Sequence, residues 1–164
     1  QFVHDSMFDS VSTALTKSGI DANRLELEIT ETILMDSSER THEALSRLRD
    51  IGVRIVMDDF GVGYSSLSYL RKFPFDKLKL DRSFVQDVRD SQGAQAIVAA
   101  VAGLGRSLGV QTAAEGVEDL LQFEHISSEG YSQMQGFLLG RPQPYDEMFA
   151  LLQLRAECSM LIDR

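Results

Sequence analysis

The sequence predicts an α/β fold in which about five parallel strands alternate with flanking helices. Short segments with the alternating or apolar pattern of strands recur along the chain, and segments with a helical stripe of apolar residues lie between them. That alternation is typical of βα units and a parallel sheet. No linker or low-complexity tract interrupts residues 1–164, which indicates a single domain.

The first half of the chain is predicted to contain two helices and two strands. Apolar residues of segment 8–19 fall on one helical face ahead of a glycine, and segment 25–30 alternates apolar and polar residues as a strand does. Segment 36–52 begins with an acidic start signal and carries an apolar stripe closed by a second glycine. Segment 54–59 is predicted to be the second strand.

The second half repeats the pattern. Segments 77–81, 110–115 and 131–135 are predicted strands, the last being the weakest pattern. Segment 93–108 carries a continuous apolar stripe and ends at a glycine, as helices commonly do, and a further helix is predicted to open at Pro144. Because eight strands close a TIM-type (β/α) barrel of typically about 250 residues, five strands in 164 residues predict an incomplete one.

Composition and charge exclude several classes of protein. The net charge of −9 argues against binding duplex DNA or RNA through a broad basic face. The single cysteine, Cys158, cannot form a disulfide within the chain, and the start of the chain lacks a signal-peptide pattern. A cytoplasmic location is therefore expected, although a membrane tether elsewhere in a longer protein stays open.

Polar and ionisable residues recur where the predicted strands end. The carboxyl ends of parallel strands meet at one rim of a barrel, so these side chains are expected to lie together. The candidates are Glu28, Asp58, Asp59, Lys79, Asp81, Glu115 and Gln135. If the apolar residues of the first strand face the helices, Glu26 and Glu28 must point inward, where a hard cation such as Mg²⁺ or Mn²⁺ would offset their charge.

The adjacent pair Asp58 and Asp59 implies a bend, because neighbours on a regular strand point to opposite faces. A bent strand end would let both carboxylates serve a two-metal site, and Gly61 and Gly63 suit a loop above it. Each feature alone has an ordinary alternative: solvated carboxylates, helix caps, a simple glycine turn or a surface lysine. Repetition of such residues across five strand ends favours a functional site.

The motifs that contain these residues resemble those of the EAL family of bacterial cyclic di-GMP phosphodiesterases. Segment 27–31 (LEITE) is similar to the family's E-x-T-E strand, and segment 58–67 (DDFGVGYSSL) to its D-D-F-G-x-G-Y-S-S-L signature. Segments 77–84 (KLKLDRSF) and 114–118 (AEGVE) resemble two further motifs in order, and the closing Q-G and R-P pairs follow within segment 135–142. The resemblance covers nearly the whole chain.

The resemblance implies metal-binding roles for four residues. Glu28 would bind a first Mg²⁺ or Mn²⁺ ion, Asp58 would bridge two ions, and Asp59 would hold the second. Glu115 would bind or orient the water of the second ion, or would act as general base. The implied reaction is hydrolysis of one phosphodiester bond of cyclic di-GMP to linear pGpG.

The resemblance also implies roles for four residues around the ions. Lys79 would hold the attacking water by a hydrogen bond, with Gln135 in support. Glu31 would anchor the loop that follows Asp59, with Asp81 as a supporting residue, and this loop links the site to dimerisation in the family.

Other family positions are expected to precede Gln1: the Glu-Ala-Leu strand, its phosphate-binding Arg and a later Asn. The chain is therefore interpreted as a truncated EAL domain with impaired activity alone, from a longer protein that also carries sensory or diguanylate cyclase (GGDEF) domains. Open sheet edges would favour homo-oligomers. Two alternatives remain: a degenerate domain that binds cyclic di-GMP without cleaving it, and a structural piece without a ligand. Retention of the acidic residues weighs against the first of these.

Overall fold

The computed structural model describes residues 6–30, 39–62, 75–151 and 153. Its named helices are α1 (Ser6–Ser18), α2 (Glu39–Asp50), α3 (Arg82–Asp87), α4 (Gln92–Leu108) and α5 (Leu120–Ser128), with a short 3₁₀ turn at Ala22–Arg24. Residues 145–151 are also helical, as predicted from Pro144. Within these ranges, no helix is both long and apolar enough to cross a membrane.

A single sheet organises the described part of the chain. Its strands are β1 (Glu26–Thr30), β2 (Arg54–Phe60), β3 (Lys77–Leu80), β4 (Gln111–Glu115) and β5 (Gln133–Gln135). They lie in sequence order and every neighbouring pair is parallel, so the predicted five-stranded parallel sheet is confirmed. In the described residues β1 and β5 each pair with one strand only, which leaves the sheet open.

Most strands are one or two residues shorter than the sequence predicted, because flanking residues are used for turns and caps. The Leu25 amide donates to the Ala22 carbonyl and closes the 3₁₀ turn. Asp81 is the N-cap of α3, and the Val110 amide donates to the Gly105 carbonyl as α4 ends. These hydrogen bonds satisfy helix-end groups that a strand would leave unpaired.

The two faces of the sheet differ sharply in chemistry. On β3, all four residues are buried, yet Leu78 and Leu80 belong to the apolar core whereas Lys77 and Lys79 point to the other side. The apolar face packs against the helices through side chains such as Leu45 of α2 and Val98 of α4. The opposite face, called the inner face, carries Glu26 and Glu28 of β1, Asp58 of β2, both lysines of β3 and Glu115 of β4.

The bend predicted at the end of β2 is present. The register of β2 against β3 shifts between Met57 and Phe60. Asp59 lies inside that interval with φ of 54°, the left-handed region that few residues other than glycine adopt. This shift interrupts the regular alternation of β2 at Asp58 and Asp59, as the adjacent aspartates predicted.

Candidate active site

Charged side chains from four neighbouring strands meet at Lys79 on the inner face. The Lys79 Nζ donates a hydrogen bond to Glu28 Oε1 at 2.7 Å and lies 3.3 Å from Asp58 Oδ1. It also forms an ion pair with Glu115 Oε1. The predicted convergence of Glu28, Asp58 and Glu115 at one end of the sheet is thus observed, with the Lys79 ammonium among the three carboxylates.

The environment of Lys79 favours its charged form. The residue is only 8% exposed, and burial by itself would lower its pKa. Hydrogen bonds to Glu115 and Glu28, together with the charges of Glu115 and Asp58, outweigh burial and hold the pKa above its ordinary value. The charged form of Lys79 is therefore favoured, and it partly neutralises an acidic cluster.

Asp59 and Asp81 occupy the rim beside this cluster. Asp59 is exposed, and its pKa is raised by burial of its carboxyl group and by the charges of Asp58 and Asp81. Burial also acts to raise the pKa of Asp81, but hydrogen bonds from the Ser83 hydroxyl and amide overcome it and lower that pKa. Asp81 thus supports the start of α3, whereas Asp59 keeps a disfavoured negative charge.

A cavity of about 120 Å³ opens beside the cluster on the inner face. Its polar lining includes Glu28, Lys79, Glu115 and Gln135, so the structure brings the predicted Gln135 to the same site. Gln135 is next to Glu115 in the sheet register. The predicted anchor Glu31 and the loop residues from Gly63 to Ser66 lie outside the described residues.

Gly136 sets the spacing that places Gln135. A Cβ atom at residue 136 would collide with the backbone of Val117, to which the flanking chain is tied. The Val117 amide donates to the Gln135 carbonyl, and the Leu138 amide donates to the Val117 carbonyl, both at 3.1 Å. Glycine at this position therefore lets the end of β5 lie against the segment after β4.

A second ion pair lies one layer deeper on the inner face, and the sequence did not predict it. The Lys77 Nζ donates to both carboxylate oxygens of Glu26, at 2.6 and 2.8 Å, and Lys77 is only 4% exposed. Arg54 Nη1 lies 3.9 Å from the same carboxylate. Alternation along β1 predicted that Glu26 points inward, but its partner is on β3, across the intervening strand.

The donor set suits a divalent cation in its chemistry. Oxygen ligands without sulfur or nitrogen favour Mg²⁺ or Mn²⁺. Glu28, Asp58 and Glu115 already share one cation, the Lys79 ammonium. In the arrangement described, however, no group of three or more acidic, histidine or cysteine side chains among the described residues is placed to hold an ion. The residues therefore fit a metal in kind, while Lys79 occupies the point where their carboxylates meet.

The letters Glu-Ala-Leu do occur in the chain, at residues 43–45, but not in a site. They lie within α2, where Glu43 is exposed and Leu45 is fully buried in the apolar core. This tripeptide is helix packing and is not the strand motif expected before Gln1.

Comparisons with known proteins agree with these motifs. The family description "EAL domain" matches residues 1–142. The bifunctional diguanylate cyclase/cyclic di-GMP phosphodiesterase MucR of Pseudomonas aeruginosa is 41% identical over 150 residues, which are 92% of this chain and 22% of MucR. The chain spans about a fifth of the length of the curated relatives it matches.

Solved structures share the fold as well. The PaMucR phosphodiesterase in its cyclic di-GMP complex has a TM-score of 0.85 at 41% identity, over 90% of this chain and 60% of that one. The manganese and cyclic di-GMP complex of Klebsiella pneumoniae BlrP1 has a TM-score of 0.80 at 36% identity, over 86% of this chain and 36% of that one. With the family match over residues 1–142, these similarities show that the chain belongs to the EAL domain family.

Proposed function

We propose that this chain carries the catalytic face of a cyclic di-GMP phosphodiesterase that hydrolyses one phosphodiester bond to give linear pGpG. The observation that carries the proposal is the convergence of Glu28, Asp58 and Glu115 on Lys79 at the carboxyl ends of parallel strands. Relatives and solved neighbours named for this activity or ligand support the substrate class. The net charge of −9 makes duplex DNA or RNA a poor alternative.

Glu28, Asp58, Asp59 and Glu115 are the residues that would hold divalent cations. Such ions lower the pKa of bound water and offset charge that develops on a phosphoryl group. The neighbours solved with manganese or calcium support a divalent metal, and we propose Mg²⁺ or Mn²⁺ for this chain. Three carboxylates and one ammonium leave two negative charges at the cluster, the formal charge that one such ion neutralises.

Lys79 and Gln135 would act on the attacking water and the phosphodiester. The Lys79 ammonium can donate a hydrogen bond to that water and stabilise negative charge on a phosphoryl oxygen. Gln135 lines the same cavity and can orient the water through its amide. Glu115 contacts Lys79 and can accept a proton from the water, the role of a general base.

We further propose that this chain is the larger part of a barrel whose remaining strands pair with the β1 and β5 edges. The open sheet supports this, as does coverage of 60% of the PaMucR phosphodiesterase. In this proposal Glu31 anchors the loop after Asp59 and the domain works in the cytoplasm beside sensory or diguanylate cyclase domains. The isolated chain would have impaired activity and would self-associate through its edges, which light scattering tests: a stable monomer of 18.3 kDa contradicts self-association.

The proposed reaction is tested with the complete protein, cyclic di-GMP and Mn²⁺, by chromatography of the nucleotides. We expect pGpG in a Mn²⁺-dependent reaction, and at least about a hundred-fold slower release by the Asp58→Asn variant. Asp9→Asn on α1 is the matched control because Asp9 is exposed and does not line the cavity. Equal pGpG release by wild type and Asp58→Asn would exclude this site as the catalytic one.

A second candidate function is cyclic di-GMP binding without cleavage. The observation that favours it is the Lys79 ammonium at the meeting point of the carboxylates, where the described residues offer no ready ion site. Calorimetry separates the two functions: this candidate predicts binding of cyclic di-GMP with equal affinity in EDTA and in Mn²⁺, and no pGpG.

A further inference from the structure

The deeper ion pair of Lys77 and Glu26 lies directly below the cluster and lines the same cavity. Lys77, Lys79, Glu26 and Glu28 all contribute to the cavity wall. Lys77 and Glu26 are joined by two short hydrogen bonds, and Lys77 is 4% exposed. Separating a buried ammonium from its carboxylate partner is unfavourable, because it would leave an uncompensated buried charge.

The strand register places Lys77 level with a different carboxylate. Val56 of β2 pairs with Glu28 on one side and with Lys77 on the other, so Lys77 and Glu28 are at the same level of the sheet. Lys77 nevertheless reaches back to Glu26, which is level with Arg54, while Lys79 in turn reaches back to Glu28. Each lysine of β3 therefore pairs with a glutamate of β1 that lies nearer the start of the strands.

This offset pairing determines the charge available at the cluster. Because Glu26 holds Lys77, the cluster has only the Lys79 ammonium for its three carboxylates. Two negative charges therefore remain on Glu28, Asp58 and Glu115 taken together. If Glu26 were neutral, Glu28 would be the carboxylate level with Lys77, and pairing between them would leave a single negative charge. A divalent cation would then bind less favourably at the cluster.

We propose that Glu26 is a positioning residue that binds Lys77 and so keeps Lys77 from pairing with Glu28, a proposed metal ligand. The inference rests on the proposed function, because it concerns the same metal site. It assigns the Lys77–Glu26 pair a role in metal affinity through Glu28, without direct contact with metal or substrate. Mutation of residues that orient metal ligands without touching the metal typically lowers metal affinity by about 10- to 100-fold.

The test is calorimetric titration of the complete protein with Mn²⁺ alone, below the unfolding temperature of each variant. The binding heat that is present in wild type and absent from Asp58→Asn is assigned to the proposed metal site. We expect Glu26→Gln to weaken Mn²⁺ binding by about 10- to 100-fold, and Lys77→Met not to weaken it. The double variant Glu26→Gln/Lys77→Met should bind Mn²⁺ like wild type, since no displaced ammonium remains.

Each outcome decides the matter. A purely structural ion pair predicts lower thermal stability of Glu26→Gln with unchanged Mn²⁺ affinity, and that result overturns the inference alone. If Glu26→Gln does not fold, Glu26→Asp replaces it, because the shorter carboxylate holds Lys77 less firmly: weaker Mn²⁺ binding supports the inference, and wild-type affinity refutes it. Absence of site-specific heat in wild type would overturn the proposed metal site itself, which distinguishes the two failures.

Discussion

Replacing Lys79 by methionine removes the cation on which three carboxylates converge. Methionine keeps an unbranched side chain of similar length, so the main change is loss of charge and of hydrogen bonds. Glu28, Asp58 and Glu115 would then face one another without compensation in metal-free protein. We expect lower stability, because an uncompensated charge cluster on the inner face repels itself.

The magnitude follows from burial. Removing one partner of a buried ion pair costs about 3–5 kcal/mol. The Lys79 side chain is 10% exposed, but the carboxylate side chains are 22–48% exposed and remain partly hydrated. The lower end applies, so Lys79→Met should lose about 3 kcal/mol of unfolding free energy in EDTA at pH 7. For a domain of this size, that loss lowers Tm by about 6–12 °C.

The assay is urea unfolding of wild type and Lys79→Met in EDTA and in Mn²⁺. Lys17→Met, at an exposed position of α1, is the matched control and should change stability by less than about 0.5 kcal/mol. Lys79→Met should bind Mn²⁺ more tightly than wild type, because no ammonium competes for its carboxylates. Mn²⁺ at about 100 times a protein's Kd adds about 2.7 kcal/mol of stability, and less where the Kd is higher, so the deficit of Lys79→Met should shrink in Mn²⁺.

Equal stability of Lys79→Met and wild type in EDTA would refute this reasoning. It would mean that the carboxylates do not depend on Lys79 for neutralisation. A deficit that Mn²⁺ leaves unchanged would separately contradict the idea that a metal ion can take over this charge.

Three further predictions concern the rim and the spacing of the site. Folding raises the pKa of Asp59, so its ionisation above about pH 4 lowers the stability of the metal-free protein. Asp59→Asn should therefore raise the urea midpoint at pH 7 and reduce Mn²⁺ affinity. An unchanged urea midpoint would refute the claim that the Asp59 charge destabilises the metal-free protein. Gly136→Ala should lower the unfolding free energy by about 1–3 kcal/mol and slow pGpG release. The control Gly140→Ala, which has no atom within 4 Å of its added Cβ, should change neither stability nor rate. Equal effects of the two substitutions would contradict the claim that Gly136 sets the spacing of Gln135. Asp81→Ala should lose about 1 kcal/mol of unfolding free energy at pH 7, because the helix cap on Ser83 is lost. Since folding lowers the pKa of Asp81, the difference between wild type and Asp81→Ala should vanish as pH falls through that pKa. A stability difference that persists at low pH argues against the carboxylate cap on Ser83.

The sheet and the upper layer of the site were predictable because their signals are local. Alternation in segment 25–30 already indicated that Glu28 points inward, and the adjacent aspartates indicated a bend that Asp59 shows with φ of 54°. Strand ends were less predictable, since Asp81 serves a helix cap that competes with strand extension. Local pattern thus gives direction along a strand but not its last residue.

The Lys77–Glu26 pair was not predictable for a different reason. Its partners are on β1 and β3, which are not neighbours, and each lysine reaches one step back along the sheet. That offset depends on register across β2 and on side-chain length, neither of which appears in a linear pattern. The same limit hid the position of the Lys79 ammonium among three carboxylates.

The central claim is that Glu28, Asp58 and Glu115 share a divalent cation on the inner face of the sheet. Anomalous diffraction at the manganese edge, from crystals of the complete protein grown with Mn²⁺, tests it most directly. We expect a manganese peak within coordination distance of Glu28 and Asp58, with the Lys79 ammonium moved away from the point where their carboxylates meet. A manganese peak elsewhere would contradict this claim. So would a cluster without manganese in which Lys79 still contacts the three carboxylates.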